Sequence, residues 1–148
     1  MRKILLALFL AVISNNTMAR WVYIAETENK VADVDAYAVY ANPVTIRRSG
    51  SIVIMWGLYD YKVATEKGSR SEKRKVTYDC IQRKARMLFV SFHSGRMGSG
   101  KILADLDKNE LNNHWEKVLP GSIIEASLKY ACSSHPESPD SNPDGVLL

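Results

Sequence analysis

Residues 95–101, Gly-Arg-Met-Gly-Ser-Gly-Lys, carry the glycine and lysine spacing that opens a phosphate-binding loop. In such a loop the glycines let backbone N–H groups cradle phosphate, and a hydroxyl after the lysine holds magnesium. Ile102 stands where that hydroxyl is needed, and the segment reads as a turn between strands rather than the start of a helix. The expected role of Gly95, Gly98 and Gly100 is conformational, giving positive φ in a tight β connection. His93-Ser94 sets a base beside a hydroxyl, but neighbours on a strand point to opposite faces and cannot cooperate there. No glycine-flanked nucleophile elbow accompanies them. His93, His114 and His135 are well separated and lack ligand spacing. The expectation is a protein that is not an enzyme and that holds no cofactor and no metal.

Charge is the other candidate chemistry. Residues 66–86 hold eight basic side chains against Glu66, Glu72 and Asp79. Lys67, Arg70, Lys73, Arg74 and Lys75 lie in or beside a charged run that reads as a flexible hairpin loop. Concentrated there, they could meet an acidic protein patch, a sulfated glycan or an anionic lipid surface, or simply keep a sheet edge soluble. Arg83, Lys84 and Arg86 belong to the next turn, at the opposite end of a simple meander, so one large patch does not follow. Nucleic-acid binding is not expected, since no aromatic platform interleaves these basic residues.

The two cysteines, Cys80 and Cys132, take their meaning from the first nineteen residues. Arg2 and Lys3 precede an apolar run from Ile4 to Ile13, too short to span a bilayer, and Thr17-Met18-Ala19 offers small residues before a cut. Residues 1–19 therefore read as a signal peptide cleaved after Ala19. No cysteine lies near that cut, so a lipoprotein is not expected; the chain should be exported, to the periplasm or to the cell surface or beyond. Losing Arg2 and Lys3 lowers the formal charge from +4 to +2. In an oxidising compartment, one pair of cysteines favours one intramolecular bridge over a metal site or a reactive thiol. Closing a loop of about 53 residues stabilises the folded state by roughly 4 kcal/mol in the chain-entropy model.

The elements that must position these groups are mostly strands. Arg20–Glu26 alternates, and Tyr37–Ala41 reads as a second strand that Asn42-Pro43 breaks, with Val44–Ile46 forming one helical turn. Ser51–Lys62 sets Ile52, Ile54, Trp56 and Leu58 on one face and Val53, Met55, Tyr59 and Tyr61 on the other. Apolar on both sides, it should be a central strand. Arg74–Ile81 and Arg86–His93 return the chain, Lys101–Ala104 adds a short strand, and Trp115–Leu119 a last extended piece. Trp56 and Trp115 read as core residues; Trp21 could pack or line a groove. Sequential strands with short connections predict an antiparallel meander. Ser122 followed by Glu125 fits a capping box for a helix running to about Cys132, with Ile124, Leu128, Ala131 and Cys132 on one stripe. That stripe aims Cys132 at the sheet and Cys80. Residues 133–148, rich in Pro, Ser, Asp and Asn, read as a disordered tail.

A set of short motifs recurs here in a recognisable order. It begins with Trp21-Val22, Tyr40-Ala41-Asn42-Pro43, Trp56-Gly57-Leu58-Tyr59-Asp60-Tyr61-Lys62 and Tyr78-Asp79-Cys80. It continues with Ser94–Gly100, Trp115 with Val118, Pro120-Gly121-Ser122 and Ala131-Cys132. Across residues 20–132 the chain resembles the surface-adhesin protein E family of Gram-negative bacteria. The resemblance implies an α+β fold, a bent antiparallel sheet of about six strands with a C-terminal helix packed on it, tied by Cys80–Cys132. It also implies an envelope or surface location and a non-catalytic module for host extracellular-matrix or serum proteins. One departure stands out: the founding adhesin looks like a lipoprotein, and this leader offers no lipidation cysteine. The alternative is a periplasmic structural or assembly component contacting other envelope proteins. A protein partner is expected in either case, with no transmembrane segment after the leader and a homodimer left open.

Overall fold

The computed structural model describes residues 20–28 and 36–133. The signal-peptide reading, His135 and the tail from residue 134 onward lie outside these described residues. Seven strands form one antiparallel sheet: β1 Val22–Glu26, β2 Tyr37–Ser49, β3 Ile52–Tyr61, β4 Ser71–Asp79, β5 Lys84–His93, β6 Ile102–Asp107 and β7 Glu116–Lys117. They follow sequence order from β1 to β6, and β7 pairs with the start of β5. A helix, α1 Ile123–Ser133, completes the α+β fold. Register shifts interrupt the pairings between Tyr23 and Ala25, Asn42 and Arg47, Lys75 and Val76, and Phe92 and His93. Each such irregularity bends the strand that carries it and increases its twist.

Period-two alternation on β3 sorts the core. Val53 and Met55 stand opposite Tyr78 and Val76 of β4, and with Ala41, Ile46 and Ala85 they meet Leu128 and Ala131 of the helix. Leu128 is 2% exposed and Ala131 0%. The helix begins as a capping box. The Ser122 Oγ accepts the Glu125 N–H at 3.3 Å, and the Glu125 carboxylate accepts the Gly121 N–H at 2.8 Å. Gly121, at φ +75°, makes the turn that brings its amide round. That amide, then Lys129 and Arg83, hold Glu125 below the usual carboxylate range. The disulfide joins Cys80, just past β4, to Cys132 near the helix end, with Cα atoms 5.8 Å apart. Arg48 adds a second tie by donating to the Cys132 carbonyl at 2.6 Å.

Two elements differ from the sequence expectation. β2 does not break at Asn42-Pro43, and no helical turn forms at Val44–Ile46. Pro43 sits in the irregular stretch between Asn42 and Arg47, where a missing N–H is tolerated. Thr45 bridges that stretch, its hydroxyl donating to the Asn42 carbonyl at 2.6 Å and accepting the Trp56 N–H at 3.0 Å. The second difference is the start of β4 at Ser71 rather than Arg74, which takes Lys73 out of the loop and into the sheet beside Arg74 and Lys75.

Candidate functional site

The helix lies on the face that carries Val53 and Met55. The other face of β3 carries Ile54, Trp56, Leu58 and Asp60, and a different device covers its far end. The glycine-rich segment folds back over the sheet there, through a single helical turn at Arg96–Gly98. Asp60, 1% exposed, accepts Arg96 Nε at 3.0 Å, Arg96 Nη2 at 2.6 Å and the Met97 N–H at 2.7 Å. Ser71 donates to the Gly95 carbonyl at 2.5 Å and accepts the Gly98 N–H at 2.8 Å. Gly98 has φ +71°, and a Cβ there would stand 2.2 Å from Lys73 Cε. The Met97 and Gly98 amides are thus engaged within the protein rather than open to a phosphate. Gly95 N–H and Ser99 N–H close the turn on itself, and Lys101 N–H goes to Ser94 Oγ at 2.8 Å. The run is a clamp on the sheet rather than a simple connection, and Asp60 is its anchor.

His93 sits under this clamp, 5% exposed. Its partner is not Ser94 but Ser91, two residues back on the same face, with Oγ and Nε2 2.9 Å apart. Nδ1 is buried without a hydrogen-bond partner among the described residues. Burial, then the charge of Lys73, lowers the imidazole pKa below its ordinary value. His114 is exposed. Among the described residues, no three His, Cys, Asp or Glu side chains group closely enough to hold a metal ion.

The five basic candidates do not converge. Lys67 is exposed in the turn before β4, and Arg70 is half-buried at its end. Alternation on β4 then sends Lys73 and Lys75 to the clamp side and Arg74 to the helix side. Arg74 is committed there. Its Nε and Nη2 meet the Glu72 carboxylate at 2.7 and 2.6 Å, and its guanidinium lies 3.8 Å above the Tyr59 ring. Tyr61 also donates to Glu72; burial, with that carboxylate beside it, pushes the Tyr61 hydroxyl above its ordinary range. Lys73 lies beneath Gly98.

Lys75 occupies a different setting. It pairs with Trp56 on one side and Phe89 on the other, and those two rings meet edge to face at 5.7 Å. Beside them Arg86 stacks 4.7 Å over Trp115. Lys75, Trp56, Phe89 and Arg86 line an open cleft of about 690 Å³ on the sheet face that the helix leaves uncovered. Trp56 is half-buried and Trp115 is 36% exposed, so neither is the core residue expected. The reason for Trp115 is local, since it lies just before a strand only two residues long and its ring takes the Arg86 guanidinium while the side chain stays at the surface. The sequence signal for this cleft is the alternation Ile52, Ile54, Trp56 read against Phe89 on β5. The signal for Asp60 is a carboxylate inside an otherwise apolar strand.

A family model described as surface-adhesin protein E matches residues 21–133. No curated protein matches the chain. Among solved structures, the chain is similar to the selenomethionine form of Haemophilus influenzae protein E. That match has 13% identity and a TM-score of 0.55 over 78% of this chain and 88% of that one. Crystal form II of Haemophilus influenzae protein E matches at 13% identity and a TM-score of 0.52, over 64% of this chain and 79% of that one. At such identity the structural likeness establishes a common fold. The family match spans most of the described residues, and with it the chain belongs to the surface-adhesin protein E family.

Proposed function

We propose that this protein is an exported, non-catalytic binding module that captures host matrix or serum proteins outside the cell, its leader removed after Ala19. The observation that carries the reading is the open sheet face. A half-buried Trp56 and Phe89 flank Lys75 there, an aromatic pair rimmed by cations of the kind that anchors contact surfaces. Membership of a family of surface adhesins supports export and display. No helix among the described residues is long and apolar enough to cross a membrane. Lys75 remains in the binding set from the sequence reading, joined by Arg86; Lys67 and Arg70 stand at the rim of the β3–β4 turn as steering charges. Arg74 leaves the set because Glu72 and Tyr59 hold it inside.

Fractionation with protease shaving of intact cells, coupled to binding on an immobilised basement-membrane matrix, tests this reading. The protein is expected in the shaved fraction, and matrix binding is expected to weaken as salt rises. A pool confined to the periplasm and shielded from external protease would favour the envelope-assembly role instead.

A further inference from the structure

We propose that the cleft between Trp56, Phe89 and Arg86 binds a sulfated oligosaccharide, with sulfates on Lys75, Arg86 and Lys108 and a sugar ring against the aromatic pair. The inference deepens the binding-module reading and rests on it.

Charge comes first. Lys75, Arg86 and Lys108 line the cleft with Asp107 as the one carboxylate beside them, and none of the three cations is in an ion pair among the described residues. Each retains its charge for an incoming anion. A guanidinium is weakly hydrated and offers its donors as a planar fork, which suits an anionic oxygen cluster such as sulfate.

Shape comes second. Trp56 and Phe89 stand at an interplanar angle of 63°, so their rings form a notch rather than a flat platform. The C–H face of a pyranose fits such a notch, because those hydrogens are electropositive and the ring faces are electron-rich. An acidic peptide has no equivalent surface to offer. Nor can it add as a strand here. Trp56, Lys75, Phe89 and Asp107 lie in one row across β3, β4, β5 and β6, so the backbone between them is already paired in the ladder.

Unsatisfied polar atoms supply the third observation. The Arg86 Nε and the Asn113 Oδ1 are buried without hydrogen-bond partners among the described residues, and both residues line this cleft. One is a donor and the other an acceptor. Buried polar atoms without partners are costly, and sugar hydroxyls, which both donate and accept, can answer the pair once side chains adjust.

Calorimetric titration of the purified, disulfide-intact protein with a heparin-derived octasaccharide tests the proposal. Saturable binding is expected, abolished when the octasaccharide is fully desulfated. The Lys75→Gln/Arg86→Gln protein should bind about tenfold more weakly or worse, from loss of charge-assisted hydrogen bonds. The Lys108→Gln variant, altered at an exposed side chain where folding is not at stake, should show a smaller drop. A Lys129→Gln control, altered at an exposed side chain of the helix and outside the cleft, should bind like the parent. Undiminished binding by the cleft variants, loss confined to the control, or equal affinity for a polyglutamate peptide would overturn the assignment. Matrix binding that survives heparinase treatment, with no octasaccharide binding, would reject the glycan and leave the protein-binding module standing.

Discussion

The two faces of the sheet solve the same problem with different chemistry. On the helix face, apolar side chains close over one another, and a covalent bridge with one capped helix fixes the arrangement. On the other face, a polar clamp anchored by Asp60 covers one end, and the middle is left open around Trp56 and Phe89. Burial of the first kind yields stability without needing a partner. Exposure of the second kind leaves half-buried aromatic rings beside cations that have no ion pair among the described residues, the surface proposed to bind. The contrast separates residues that hold the fold from residues free to meet a ligand, and it places Arg74 and Lys75, neighbours in sequence, on opposite sides of that division.

The contrast can be broken by mutation, and the largest effect belongs to the helix face. Cys132→Ala should cost roughly 3 kcal/mol and lower Tm by about 10 °C in thermal unfolding, because the unfolded chain regains the freedom the bridge removed. An unchanged Tm on reduction would show that the helix holds without its tie. Next comes the clamp. Asp60→Asn removes the charge that gathers Arg96 and Met97, and should cost about 2 kcal/mol in denaturant unfolding. Protease sensitivity at residues 95–100 should appear with it, whereas the helix cap should be undisturbed.

A smaller effect depends on pH. His93 has a lowered pKa in the folded state, so the unfolded chain takes up a proton first. Stability from this residue is therefore fully present above about pH 6.5 and is lost as pH falls through the folded value. Replacing His93 with Gln should flatten the stability profile between neutral and mildly acid pH; an identical slope in both proteins would remove the imidazole from that behaviour. The smallest stability effect belongs to the open face. Trp115→Leu should change unfolding free energy by less than about 0.5 kcal/mol, as expected of an exposed position.

Much of this division was legible in the residues themselves. Alternation on Ser51–Lys62 sorts Val53 and Met55 from Ile54 and Trp56, and a single cysteine pair in an exported chain leaves one bridge to make. The spacing of Ser122 and Glu125 marks the helix start. Long-range geometry was less legible. Pro43 reads as a strand breaker until Thr45 is seen to bridge the gap with its hydroxyl. The glycine run reads as a local turn, since nothing adjacent to it reveals that Asp60, 36 residues earlier, receives Arg96. The basic cluster reads as one patch around the loop only while Lys73 is left outside β4 and alternation along the strand is set aside. Begun at Ser71, the same residues alternate across the sheet, and the patch dissolves.

The division of labour between the faces is tested most directly by the Lys75→Gln/Arg86→Gln protein, measured for thermal stability and for matrix binding side by side. Tm should stay within about 2 °C of the parent, as for other changes at half-exposed surface positions, while matrix binding falls about tenfold. A folded variant that still binds the matrix like the parent would contradict the assignment of the open face as the binding surface.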